Sequence, residues 1–252
     1  MIPSIPQYIE RRIRCTVPAD SHIVSGSTPV VSFGNAQSST TATLGLNPSR
    51  LEFLDRNGNE LFGSSRRLAT HKSLGISDLT NAKSEVIDRV LGDCRTYFHR
   101  NPYRRWFDQL EPILNACGAS YYNGSACHLD LIQWTTDPTW SKLRSATQRC
   151  LLSTDVPFLI QQLRNENIRL LLVNGMGVVK QLRLIIDSSL EEVDPIIGIG
   201  HIKTRLFVCQ IFDRTRVVAW STNIQSSFGV SNGLRSELSY RVKELARVSI
   251  VV

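Results

Sequence analysis

The chain has 252 residues, 42% hydrophobic and 20% charged, with 29 Lys and Arg against 22 Asp and Glu, giving a formal charge of +7. That length supports a full hydrophobic core, and no apolar run approaches the roughly 20 residues a membrane helix requires. The stretch "MIPSIPQYIERRIRC" is charged where a signal peptide is apolar, and the six cysteines are scattered without C-x-x-C pairs or zinc spacing, so a cytoplasmic protein with reduced thiols is expected.

Residues 1–28 read as an N-terminal arm or helix packed on the core, and residues 29–252 as one domain. "PVVSFG" (29–34) and "TATLGL" (41–46) read as strands separated by the polar "NAQSST", and "DRNGNELFGSSRR" (55–67) as a loop. "AKSEVIDRVLGDC" (82–94) and "PYRRWFDQLEPILNAC" (102–117) have helical apolar spacing, the second opening with Pro102. "ACHLDLIQW" (126–134) is a strand whose outward positions include His128 and Asp130. "DVPFLIQQLRNEN" (155–167) is a helix, with Thr154 or Asp155 as its cap and Pro157 in its first turn.

The apolar strand 168–173 breaks at Asn174-Gly175, and a helix follows at once. "RLFVCQIF" and "RVVAW" flank Asp213-Arg214-Thr215 as an antiparallel hairpin. The strand ending at Trp220 enters the loop "STNIQSSFGVSNG", and a last amphipathic helix runs from 234 to 247. Such alternation predicts an α/β fold with a parallel sheet covered by helices. The polar strand ends, Asn47 to Arg50, Asp130, Asn174 and Ser221 to Gln225, then converge on the edge where open sheets build ligand sites.

Phosphate-loop and zincin mechanisms lack their parts, since G-x-x-x-x-G-K-[ST] and H-E-x-x-H are both missing. The segment Gly45-Leu46-Asn47-Pro48-Ser49 resembles the first motif of the uracil-DNA glycosylase superfamily, in which a strand ends in Gly-x-Asp/Asn-Pro. "CHLDLIQW", "LLLVNGMG" and "WSTNIQSS" stand where that family reads the base, turns from strand to helix and pinches DNA. The resemblance spans roughly residues 29 to 247 and implies a three-layer α/β/α fold with a central, mainly parallel sheet. It also implies a monofunctional glycosylase that flips its base, needs no metal, iron-sulfur cluster or other cofactor, and has DNA with a modified base as its partner.

Carried onto this sequence, the resemblance makes Asn47 the holder of the attacking water and Pro48 the residue that fixes its geometry. As an amide Asn47 is no strong base, but little proton abstraction is required once the sugar is cationic. An Asn-Pro that merely makes a turn is the competing reading. Gly45, Leu46, Phe62, Asp130 and Asn174 would surround the base, with Phe53 the rival of Phe62 for stacking. Ser49, Arg50, Arg66, Arg67, Ser221, Asn223, Ile224 and Gln225 would meet the DNA, Ile224 or Gln225 as a wedge. Many members carry His-Pro-Ser in the late loop; "STNIQ" does not, and the substitutes are Ser221 or Asn223 as a partial donor, or His128 or His201.

Asp130 departs in a more informative way, because uracil-reading members carry an asparagine at that strand position. An ionised aspartate offers acceptors only, which suits the N4 amino group of cytosine and repels uracil O4; a protonated one reverses the preference. The expected target is therefore a marked cytosine, such as the glucosylated hydroxymethylcytosine of phage DNA removed by an anti-phage branch of the superfamily. The alternatives are a repair glycosylase for uracil or damaged bases, and a catalytically inactive module that senses a base.

Overall fold

Aliphatic and β-branched runs build one six-stranded sheet in the computed structural model, which describes residues 5–197, 203–225 and 230–247. The strands are β1 (Thr41–Gly45), β2 (Ala126–Asp130), β3 (Leu170–Asn174), β4 (Glu191–Ile197), β5 (Lys203–Ile211) and β6 (Thr215–Trp220), in the order β2-β1-β3-β6-β5-β4. β3 runs parallel to β1 and to β6, while β5 is antiparallel to both β6 and β4. Helices flank this sheet, and the fold is α/β with three layers, α/β/α, as expected. No described helix is long and apolar enough to cross a membrane.

The β5–β6 hairpin has a three-residue loop whose turn, closed by the Arg214 N–H on the Ile211 carbonyl, passes through Phe212 and Asp213 at φ 51° and 55°. Pro195 falls at the irregularity between Val193 and Ile196 of β4, on an edge strand that tolerates a missing N–H.

Contacts group the chain into two compact units. The first takes the described residues up to Asn35 with Leu46–Tyr103 and Leu129–Asn165. Its helices are α1 (Gln7–Ile13), α2 (His71–Leu74), α3 (Ser84–Arg95) and, out of chain order, the long α6 (Ser145–Asn165); α1 packs on α3 and α6. Arg12 of α1 is buried and pairs with the buried Asp155 of α6 at 2.7 Å, its guanidinium lying 5.3 Å from the centre of the Trp134 ring. Burial raises the Asp155 carboxyl to about 6, against the opposing pull of Arg12 and the Gln133 N–H.

Two expectations change in this unit. Residues 29–34 are buried but form no strand: Val30 N–H donates to Gln133 and Gly34 N–H to Cys94, separate partners that make no ladder, and Pro29 has no N–H to give. The helix expected from Asp155 begins at Ser145, so Pro157 lies inside it and Asp155 is an ion-pair partner, not a cap.

The second unit comprises Ala36–Gly45, Arg104–His128 and the described residues from Glu166 onward. Its helices are α4 (Arg104–Phe107), α5 (Glu111–Ala116), α7 (Met176–Ile185) and α8 (Asn232–Arg247). α7 packs on β3 and β6, and α8 on β4, β6 and α5. The single helix expected over 102–117 is broken into α4 and α5 because Pro112 cannot donate a hydrogen bond and sits instead in the first turn of α5. Beneath β1, Thr43 Oγ1 bonds Tyr121 Oη at 2.5 Å and His128 Nδ1 at 2.6 Å, and Phe107 meets both rings edge-on.

Candidate functional site

In the first unit, the turn after β1 is held to the loop after β2 by the Ile132 N–H, which donates to the Leu46 carbonyl at 2.9 Å. Pro48 is buried and confines Asn47 to extended backbone. Asn47 Nδ2 donates to Thr136 Oγ1 at 3.1 Å and, at greater length, to the Trp134 carbonyl at 3.4 Å. A carbonyl only accepts, so the nitrogen side of this amide is committed to the loop. Asn47 Oδ1 has no hydrogen-bond partner among the described residues, and the side chain is half-buried. The result is an oriented, unused acceptor.

Ser49 caps the short helical turn Arg50–Glu52 by accepting from the Leu51 N–H at 3.2 Å. Arg50 remains partly exposed, 4.0 Å from Asp137. At the end of that turn stands Glu52, only 1% exposed. Its Oε2 accepts from Tyr97 Oη–H at 2.6 Å, and the Tyr97 oxygen accepts in turn from the Tyr103 N–H at 2.9 Å. Burial pushes the Glu52 carboxyl up to about 7; the Tyr97 bond and the Arg67 charge oppose the rise, and the Asp130 charge adds to it. The same burial, with Glu52 beside it, holds the Tyr97 phenol well above its usual 10.

Asp130, expected to face outward, is 5% exposed at the end of β2, and His128 is 4% exposed. Arg67, expected to meet DNA, is half-buried beside this group. It donates to the Leu51 carbonyl and lies 5.2 Å from the centre of the Tyr103 ring. Glu52 is the residue that the sequence reading missed. A lone carboxylate inside the apolar run Leu51-Glu52-Phe53-Leu54 was the available sign of burial.

Of the two candidate stacking rings, Phe53 is core at 2% exposure and Phe62 is 79% exposed. Phe62 precedes the turn Gly63–Ser65, and Arg66 pairs with Asp93 at 3.6 Å.

In the second unit, Asn174 closes β3 and spends its whole amide on the late loop. Oδ1 accepts from Trp220 Nε1 and the Ile224 N–H, and Nδ2 donates to Asn223 Oδ1 and Gln225 Oε1. Asn174 therefore braces this loop and has no donor or acceptor to spare for a base. Gly175 follows at φ +95°, and a Cβ there would sit 3.2 Å from that of Asn223, so a larger residue would strain both backbone and contact.

Ile224 is 0% exposed, so it is a core side chain and not the expected wedge. Gln225 is tied to the Trp106 carbonyl as well as to Asn174. Ser221 Oγ accepts from the Arg205 N–H, and Gly45 is half-buried at the end of β1. Asn223 stays exposed, its Oδ1 used by Asn174 and the Gln225 N–H. His128 is occupied beneath β1, and His201 lies outside the described residues.

No known protein-family model and no curated protein sequence matches this chain. The chemistry of the site must be read from its own groups. They are an oriented amide oxygen at Asn47, a buried acceptor at Asp130, a carboxyl at Glu52 that exchanges its proton near neutrality, and an exposed ring at Phe62.

Proposed function

We propose that the protein is a monofunctional DNA glycosylase that flips a modified pyrimidine, with modified cytosine favoured, and hydrolyses its N-glycosidic bond to leave an abasic site. The carrying observation is the Asn47 amide, whose nitrogen is committed to Trp134 and Thr136 while its oxygen is unused. Base-sugar cleavage passes through an oxocarbenium-like state, and a water held by an oriented acceptor reaches that cation with little need for a base. Phe62 offers a face for stacking, which contributes about 1 to 3 kcal/mol per base.

Asp130 accepts from the N4 amino group of the flipped base in this reading. Glu52, whose carboxyl burial pushes up to about 7, adds no second negative charge there when protonated. No lysine stands in a recognised nucleophile position, so the product is an abasic site without strand cleavage. A catalytically inactive base sensor is the second reading, favoured by the commitment of His128 to Thr43, which removes one substitute for the missing loop histidine.

The test is a panel of duplexes carrying uracil, a thymine mismatch, hydroxymethylcytosine or its glucosylated form, with abasic sites scored by alkaline cleavage. Abasic sites are expected at a modified cytosine and not at the unmodified base. Asp130→Asn is expected to shift preference toward uracil by about tenfold or more, the worth of one base-edge pairing. Efficient excision of uracil with no action on any cytosine derivative would end the cytosine assignment. No abasic sites on any duplex would leave the sensor.

A further inference from the structure

α3 presents Arg89, Gly92, Asp93 and, at its C-terminal cap, Thr96 at the i, i+3, i+4, i+7 spacing of one helical face. Together with Arg66, Ala69 and Leu74 they line a cleft of about 300 Å³. Asp93 is paired with both Arg66 and Arg100, so its charge is more than matched. Arg89 donates to the Ser73 carbonyl at 2.9 Å and has no carboxylate partner among the described residues. The cleft thus holds an arginine whose charge is unmatched and whose remaining N–H groups are available.

Gly92 gives the second observation. A glycine inside a helix costs about 1 kcal/mol relative to alanine. Gly92 has no left-handed φ, and a Cβ built on it would meet nothing within 4 Å. Neither backbone geometry nor packing requires a glycine there. Its effect is to leave open space in the cleft beside the arginines.

We propose that this cleft binds a backbone phosphodiester of a nucleic-acid strand, Arg89 and Arg66 donating to the phosphate oxygens. Planar guanidinium groups match phosphate in geometry and charge, and the chain's formal charge of +7 suits a polyanionic strand over a single anion. The inference goes beyond the glycosylase reading and holds equally for a catalytically silent binder.

The experiment measures anisotropy of a fluorescein-labelled oligothymidylate with the full chain across a salt series. Arg89→Gln is expected to weaken binding about tenfold, the worth of a charge-assisted hydrogen bond, and to reduce the slope of log K against log salt by about 0.7. Gly92→Leu is expected to block the cleft and weaken binding while its Tm stays at or above that of the unaltered protein, because leucine is the better helix former. An unaltered protein that does not bind the strand, or variants that bind it with unchanged affinity and slope, would overturn the proposal. Inorganic phosphate provides the other arm. A phosphate-induced rise in Tm that Arg89→Gln removes, with strand affinity unchanged, would overturn the assignment to nucleic acid.

Discussion

Asn47→Ala is expected to lower abasic-site formation by about 10²- to 10³-fold, the usual effect of deleting one oriented polar group at a reacting centre. Strand binding is expected to remain within about threefold, because the change removes no charge from the phosphate contacts that dominate affinity. The argument rests on how the amide is held. Its nitrogen faces a carbonyl that cannot donate, so its oxygen is the face left for a water, and alanine removes that face together with the tether to Thr136. Single-turnover yields of abasic sites, measured beside anisotropy, separate the two effects. A base sensor predicts unchanged binding and no activity in either protein; a structural Asn-Pro turn predicts that Asn47→Ala keeps the parent's rate.

The α/β order of elements was legible because periodicity and turn residues act locally. β3, α7, the β5–β6 hairpin and α8 all lie close to where the apolar pattern put them. Residues 29–34 show the limit of that signal: an apolar run records burial, while a ladder also needs a partner in register, which no local pattern contains. Pro157 misled in another way, since its fixed φ suits a first turn as well as an interior turn that packing supports. At the site, Asn47 was legible from its proline. Glu52 was not, because its partner Tyr97 is 45 residues away and its raised proton affinity comes from burial, with the charge of Asp130 adding to it, both of which long-range folding supplies. Ile224 was ambiguous for the same reason: an apolar residue in a loop serves as a wedge or as core, and only its 0% exposure decides.

Glu52→Gln is expected to stabilise the protein at pH 8 and to leave it nearly unchanged at pH 4. The Glu52 carboxyl rises from an ordinary 4.5 to about 7 in the folded chain, so between those values the folded state holds a proton that the unfolded state has released. Stability from this group is fully present below about pH 4.5, falls as pH rises, and is lost above about 7. The interval corresponds to roughly 3 kcal/mol at 1.36 kcal/mol per unit, an upper value because the buried site relaxes. Glutamine keeps the shape of the neutral acid and an oxygen for Tyr97 Oη–H, but never ionises. The variant should therefore gain roughly 5–10 °C in Tm over the parent at pH 8, with the two curves meeting near pH 4. Asp155 titrates in the same direction, from 3.8 to about 6, but it does so in both proteins and cancels in the difference. A constant gap in Tm between pH 4 and pH 8 would mean that Glu52 titrates alike in the folded and unfolded chain, and the argument that burial keeps it protonated near neutrality would fall with it.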